Sequence, residues 1–377
     1  MRFLLRWTGR VALLLAVLLC FAPTVVPPFL DRIYHDGPVS DHFDGERFFN
    51  PDGPAPLSRG RRGFFSRWTT SRERAEWPEQ VPVRPSVPPR RVEGEAMRVT
   101  WIGHATVLVQ TQGLNILTDP IWSERASPFA FAGPRRVRAP GVRFEDLPKI
   151  DIVLVSHNHY DHMDLPTLRR LWRRDRPLIV TSLGNDTILR NAGIESEAFD
   201  WGRGLPIPCR WTSPPGVQYR MPPRPCAVTV ERNHHWSSRW FTDRNRALWS
   251  AFTVRLPGGN IFFAGDTGWG DGGWVREAAR RGRFRLAIIP IGAYEPRDFM
   301  RTHHVNPEEA VAIFEALDPT RALGVHWGTF QLTFEPIDDP RRRLAALRRT
   351  RGIAPDRFVA VEAGQGFSVP PLHPPAR

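Results

Sequence analysis

The sequence predicts an α/β fold of two packed β-sheets covered by helices. Three observations point there: short β-rich runs recur from Arg98 to His326, helix signals are fewer, and no internal repeat is present. Of the 377 residues, 41% are apolar and 24% charged, the usage of a globular chain long enough to bury a sizeable core. Disordered and fibrous classes are thereby excluded. Three cysteines exclude a disulfide-dense small scaffold and a zinc cluster of four thiolates.

Three segments are expected. In residues 1–30, Arg2, Arg6 and Arg10 precede the apolar run Val11 to Ala22, which Pro23 follows. A basic start and a short apolar core fit a secretory signal or an N-terminal membrane anchor. The basic flank would stay inside, which places the rest of the chain in the periplasm or another extracytoplasmic space. A buried first helix is the alternative. Residues 31–94 are rich in Pro, Gly, Arg and aromatics without periodicity, and read as an arm wrapping the domain. Residues 95–377 form the main domain.

Within that domain the strand candidates begin at Val99 to Ile102, Val107 to Thr111 and Asn115 to Thr118, punctuated by Gly103 and Gly113. Ile150 to Ser156, Leu178 to Thr181, Ala227 to Glu231 and Trp249 to Leu256 follow. Asn260 to Ala264, Leu286 to Ile291 and Ala322 to His326 complete the set. Asp164 can cap a helix that carries Leu165, Leu168, Leu171 and Trp172 on one face. Asn306-Pro307-Glu308-Glu309 joins a cap, a proline at the first position and acid in the first turn. The basic run Arg341 to Arg351, with Leu344 and Leu347, suits a surface helix.

The formal net charge is +13, with 52 Lys+Arg against 39 Asp+Glu. The excess is nearly all arginine, Lys149 being the only lysine, and is scattered from end to end. A scattered excess defines no patch, so no specific nucleic-acid partner is expected. Cys209 and Cys226 could pair in an oxidising compartment.

Chemistry concentrates in Ser156-His157-Asn158-His159-Tyr160-Asp161-His162, directly after an apolar strand. Imidazole and carboxylate suit Zn²⁺. Four such groups this close cannot all serve one tetrahedral ion, so two metals are the natural reading. His235, Asp266 and His326 each follow or end another hydrophobic strand, where a sheet presents its active edge. Singly, each could be a satisfied histidine or a capping aspartate; together they repeat one pattern.

The set His157-x-His159-x-Asp161-His162, His235, Asp266 and His326 resembles the ligand pattern of the metallo-β-lactamase fold hydrolases. The longer runs are similar to the N-acylphosphatidylethanolamine phospholipase D branch of that family. They are Trp101 to Thr106, Leu117 to Pro120, Ser156 to Asp164, Asp243-x-Asn245, Phe263 to Gly268, Ile289 to Pro296 and His326 to Phe330. The likeness covers roughly Arg98 to Phe367. It implies an αββα sandwich with a binuclear zinc site at one edge. His157, His159 and His235 would hold one Zn²⁺, and Asp161, His162 and His326 the other, with Asp266 between them. His235 is chosen over His234 because it precedes Trp236, as in the family pattern.

The implied activity is phospholipase D-type hydrolysis of an N-acyl phosphatidylethanolamine or a related phospholipid at a membrane surface. The products would be phosphatidic acid and an N-acylethanolamine. Water acidified between two Zn²⁺ would supply the nucleophile. No Ser or Cys nucleophile motif is present. A proton donor to the leaving group contributes roughly 10²–10⁴-fold. His303 and His304, just before the helix start at Asn306, are candidates for phosphate contact, and His304 for the general acid, because it directly precedes Val305. A substrate phosphate could lie between that helix end and the metals. His104 and Thr106 would support the site, a histidine facing Asp119 being a typical arrangement. Hydrolysis of a lactone or a nucleic-acid phosphodiester, and a metal-loaded, membrane-anchored binding protein without turnover, remain as alternatives.

Overall fold

The computed structural model describes residues 2–25, 34–53, 67–68, 71–208, 226–240 and 242–372. The first element is α1 (Arg2–Val25). Among the described residues no helix is long and apolar enough to cross a membrane. This overturns the expected anchor and, with it, the extracytoplasmic placement. Three arginines stand in the early turns of α1, and its uninterrupted apolar stretch runs only from Val11 to the proline at 23. A hydrocarbon core needs about 20 such residues. Cys209 lies outside the described residues, while Cys226 is buried and disulfide-bonded.

Two seven-stranded sheets form the body. The first holds β1 (Met97–Gly103), β2 (Thr106–Thr111), β3 (Leu114–Thr118), β4 (Ile152–Val155), β5 (Leu178–Ser182) and β6 (Glu197–Phe199) in sequence order. β14 (Gly366–Ser368) returns from the end of the chain to pair antiparallel with β1. The second runs from β7 (Gly204–Pro206) through β8 (Ala227–Glu231), β9 (Ala251–Arg255), β10 (Asn260–Phe263), β11 (Phe284–Pro290) and β12 (Arg321–Val325) to β13 (Phe358–Val359). Hairpin neighbours such as β1–β2 and β2–β3 are antiparallel, whereas β3–β4–β5 and β10–β11–β12 are parallel. The parallel pairs need crossovers, which helices provide for β4–β5, β10–β11 and β11–β12 and a long loop provides for β3–β4.

Strand alternation builds the layers. Val107, Val109, Ile152 and Leu154 face the second sheet and pack with Val228, Val230, Phe252 and Phe263. Leu108, Val153, Val155 and Ile179 point the other way, against Leu168 and Leu171 of α2 (Leu165–Asp175) and Ile188 and Leu189 of α3 (Asn185–Asn191). On the second sheet α4 (Gly273–Ala279), α6 (Pro307–Leu317) and α7 (Asp339–Thr350) contribute Trp274, Val311, Phe314 and Leu344 to the same core. The result is the expected αββα sandwich. The short α5 (Arg297–Met300) lies between β11 and α6.

Of the two expected helix caps, Asn306 forms as expected and Asp164 does not. Asn306 closes a full capping box with Glu309, accepting Glu309 N–H at 2.9 Å while Glu309 accepts Asn306 N–H at 3.1 Å. The Glu309 carboxylate that takes the Asn306 N–H also pairs with Arg297. Asp164 precedes α2 but makes no side-chain cap. Its carboxylate instead accepts the backbone N–H groups of Trp122 and Ser123 and the hydroxyls of Ser123 and Thr167.

The stretch before β1 is tied to the sandwich by aromatics and polar bonds. Phe43 and Phe48 are buried with Leu248 and Trp249. Arg91 pairs with Asp151, and Trp77 Nε1 donates to Glu335 O at 2.9 Å.

Candidate metal centre

The site collects at the ends of strands. β3 ends in Asp119, β4 runs into the 156–162 loop, and the turns after β8 and β10 carry His235 and Asp266. β12 delivers His326, and the β1–β2 turn delivers His104. His104, Asp119 and His326 adopt left-handed backbone (φ 54°, 32° and 61°), so the chain bends sharply where each side chain turns inward.

Four overlapping groups of donors form, and two of them hold most of the expected ligands. His157, His159 and His235 bring one nitrogen each within 4.8 Å of one another. His157 Nε2 lies 2.8 Å from His159 Nδ1, and His235 Nε2 3.4 Å from the same atom. In the second group His104, Asp161, His162 and His326 meet. Asp161 Oδ2 is 3.3 Å from His162 Nε2 and 3.4 Å from His326 Nε2. Asp266 Oδ2 stands 3.1 Å from His162 Nε2, 3.1 Å from His326 Nε2 and 3.9 Å from His235 Nε2, so one oxygen faces both groups. All seven sequence candidates are thus brought together.

Outer partners set which nitrogen points inward. Asp119, fully buried, accepts Ser156 N–H at 2.7 Å and Ser156 Oγ at 2.6 Å, and lies 2.6 Å from His162 Nδ1. His162 Nδ1–H therefore donates outward and Nε2 faces the cluster. His235 does the same, its Nδ1 lying 2.8 Å from His303 O. His104 does not meet Asp119; its Nε2 lies 2.8 Å from Asp161 Oδ2. Asn233 Nδ2 donates to Ala264 O and Asp266 O, both at 2.9 Å, fixing the turn that carries Asp266. Neither Asn233 nor the role of Asp119 toward His162 was foreseen in the sequence.

Electrostatics separate the groups. Burial, helped by neighbouring imidazoles, holds His157 and His235 well below the ordinary histidine pKa and brings His159 to about 3. These rings are neutral, with lone pairs to offer. Burial also brings His104 to about 3. His162 goes the other way: against burial, the carboxylates of Asp266, Asp161 and Asp119 raise it well above the ordinary value. Asp266 and Asp161 similarly raise His326 to about 9. Asp161 and Asp266 stay ionised despite burial, chiefly through His162. The carboxylate side thus draws positive charge.

That donor set fits divalent zinc. It offers neutral imidazoles in the first group and ionised carboxylates beside His162 and His326 in the second. Several inward atoms are buried without a hydrogen-bond partner, among them His162 Nε2, His326 Nε2 and Asp266 Oδ1.

His304 forms a further donor group with His235 and Asp266, and His303 stands beside it. His304 Nδ1 is 3.9 Å from Asp266 Oδ2, and burial, offset in part by Asp266, brings its pKa to about 4. Arg297 donates to His304 O at 2.6 Å. His303 contributes its carbonyl to His235; its own ring stands off, 6.3 Å between centroids. The tryptophans near the ligands are walls. Trp101 stacks on Trp327 at 5.0 Å, and their indole N–H groups donate to His104 O and Gly324 O.

Fold and donors together define a metal-dependent hydrolase of the two-sheet sandwich type. Residues 114–327 match the family model of the β-lactamase superfamily domain. An N-acyl-phosphatidylethanolamine-hydrolyzing phospholipase D 1 of Caenorhabditis elegans is 36% identical over 269 residues, 71% of this chain and 74% of that one. A mitochondrial N-acyl-phosphatidylethanolamine-hydrolyzing phospholipase D of Saccharomyces cerevisiae is 33% identical over 269 residues, 71% of this chain and 54% of the other. Among solved structures, a possible metal-dependent hydrolase of Veillonella parvula shares the fold, with a TM-score of 0.55 at 14% identity over 72% of this chain and 99% of that one. The chain belongs to the metallo-β-lactamase superfamily, in its N-acylphosphatidylethanolamine phospholipase D-like branch.

Proposed function

We propose that the chain is a zinc-dependent phosphodiesterase of phospholipase D type. Its substrate is an N-acyl phosphatidylethanolamine or a related phospholipid met at a lipid surface, and its products are phosphatidic acid and an N-acylethanolamine. The observation that carries this reading is the 36% identity to a phospholipase D over 269 residues, 71% of this chain.

His157, His159 and His235 would hold one zinc, Asp161, His162 and His326 the other, and Asp266 would serve both. Zinc, when bound, acidifies water and neutralises phosphodiester oxygens. The chain supplies the rest. Asp119 and His303 O keep the His162 and His235 lone pairs inward. A water oxygen joins phosphorus, the bond from phosphorus to the ethanolamine oxygen breaks, and that oxygen takes up a proton. His304, beside Asp266 and anchored through its carbonyl to Arg297, is the side chain placed to contact the phosphate and hand over that proton. An anionic phosphate beside it raises its pKa from about 4 and so favours the protonated form.

The test is a product assay on N-acyl phosphatidylethanolamine vesicles, run beside RNA with metal content measured in parallel. Release of an N-acylethanolamine by zinc-loaded protein is expected. Turnover of RNA but not lipid would replace the substrate class, and fully active protein free of transition metal would overturn the mechanism.

A further inference from the structure

We propose that the segment 48–52, outside the span matched by the superfamily model, is a positioning clamp on the first metal group. Its docking and zinc binding at that group would then be linked. This rests on the reading of His235 as a ligand. His235 sits in an irregular turn after β8, where no strand ladder holds the backbone. Asn50 and Asp52 supply what the ladder does not. Asn50 Nδ2 donates to His235 O at 2.9 Å. Asp52 Oδ2 lies 2.9 Å from His234 Nδ1 and accepts Asp271 N–H at 3.2 Å, while Oδ1 is 3.5 Å from an Arg232 nitrogen. One residue thus holds the carbonyl of His235 and the other the ring of its neighbour.

The clamp is itself braced from the same side. Phe48 N–H donates to Asn245 O at 2.8 Å, and Asn245 Nδ2 donates back to Phe48 O at 3.1 Å. Asn245 also holds Ser237, two residues beyond His235, through a 2.8 Å bond to Ser237 O. Asn50 Oδ1 accepts Trp249 Nε1–H at 3.2 Å, next to buried Phe48. These bonds converge on the residues around His235; among the described residues none reaches Asp161, His162 or His326. The consequence is asymmetric: loosening the clamp weakens one zinc and spares the other. Linkage is reciprocal, so zinc in that group must also tighten the segment.

Asn50→Asp separates this from a general structural role. A carboxylate still accepts from Trp249 but has no donor for His235 O. With the full chain loaded with two zinc ions and titrated with a chelator, one equivalent should leave with affinity weakened roughly 10–100-fold, the other unchanged. Asp52→Ala should do the same. Asp52→Asn, which keeps an acceptor for His234 and Asp271 N–H, should release zinc like wild type. Both equivalents unmoved, or both moved equally, would overturn the clamp. Should Asn50→Asp fail to fold, wild-type hydrogen exchange decides. Amides of residues 48–52 are expected to exchange more slowly on zinc loading, and equal rates would overturn the linkage. Wild-type chain that holds no zinc would overturn the ligand reading itself, and the clamp with it.

Discussion

Replacing Asp119 by Asn tests how the second donor group is organised. The exchange is nearly isosteric, and asparagine tolerates the left-handed φ of 32° at this position. What changes is hydrogen-bond polarity. In the native site both carboxylate oxygens accept, Oδ1 from Ser156 N–H at 2.7 Å and Oδ2 from Ser156 Oγ at 2.6 Å and His162 Nδ1 at 2.6 Å. An amide has only one acceptor end. If its oxygen keeps Ser156 N–H, its NH₂ opposes His162 Nδ1–H, and the proton moves to Nε2, the atom that faces Asp161 and Asp266. A protonated Nε2 has no lone pair for a metal. If the amide flips, two donors meet at Ser156 N, at about 1–3 kcal/mol for the group left without an acceptor. In the first case zinc affinity in the His162 group should fall roughly 10–100-fold, or about 1.4–2.7 kcal/mol; in the second the tautomer is kept and the loss falls on stability. Chelator competition reads the affinity and denaturant titration the stability. Asp119→Asn with wild-type affinity for both ions and wild-type stability would refute the claim that Asp119 sets the His162 tautomer.

Asp266→Ala removes the one oxygen that faces both groups, so metal analysis should show reduced occupancy of both zinc ions, not one. His304→Ala should keep its zinc and its fold yet lose turnover by at least about 10²-fold, whereas His326→Ala should lose zinc too. A substrate with a better leaving group should restore His304→Ala more than His326→Ala; equal zinc loss in the two variants would make His304 a ligand.

Much of this architecture is legible because strand ends and ligands coincide. β8 spans Ala227–Glu231, the range expected from the apolar run, and Asp266 and His326 follow their strands as the sequence suggests. Periodicity also exposes α2, and the cap, proline and acidic first turn expose the start of α6. The strands β6, β7, β13 and β14, of two or three residues each, are too short to leave a pattern. They form because a neighbouring strand offers an edge, which is a tertiary fact. The same holds for Asn50 and Asp52. They lie about 180 residues from the turn they hold, in sequence without periodicity, and tertiary contacts such as the burial of Phe43 and Phe48 bring them there. The α1 segment misleads for the opposite reason: a basic flank and an apolar run are a local signal shared by anchors and by helices that do not span.

The segment that carries Asn50 should also respond to pH, through His42. Its ring is stacked on Trp201 at 4.5 Å between centroids, with Nε2 2.7 Å from Asp200 and Nδ1 2.6 Å from Asp41. Burial opposes the charged ring, but Asp200 and Asp41 win, and its pKa is raised above 6.5. A raised folded pKa gives stability that is fully present below the unfolded value and lost as pH rises through the folded one. The loss therefore begins near 6.5 and continues upward. His35, nearby, has its pKa lowered by burial and works in the opposite sense, on the acid side. Comparing wild type with His42→Gln, which retains His35, isolates the first effect. The side chain of Asp200 is 38% exposed, so screening limits the contribution to about 1 kcal/mol. Denaturant titrations at about pH 6 and about pH 9 should show the stability difference between the two proteins shrinking by that amount at the higher pH. A difference that stays constant across the range would mean that His42 is neutral in the folded chain and that its contacts with Asp41 and Asp200 are hydrogen bonds without charge.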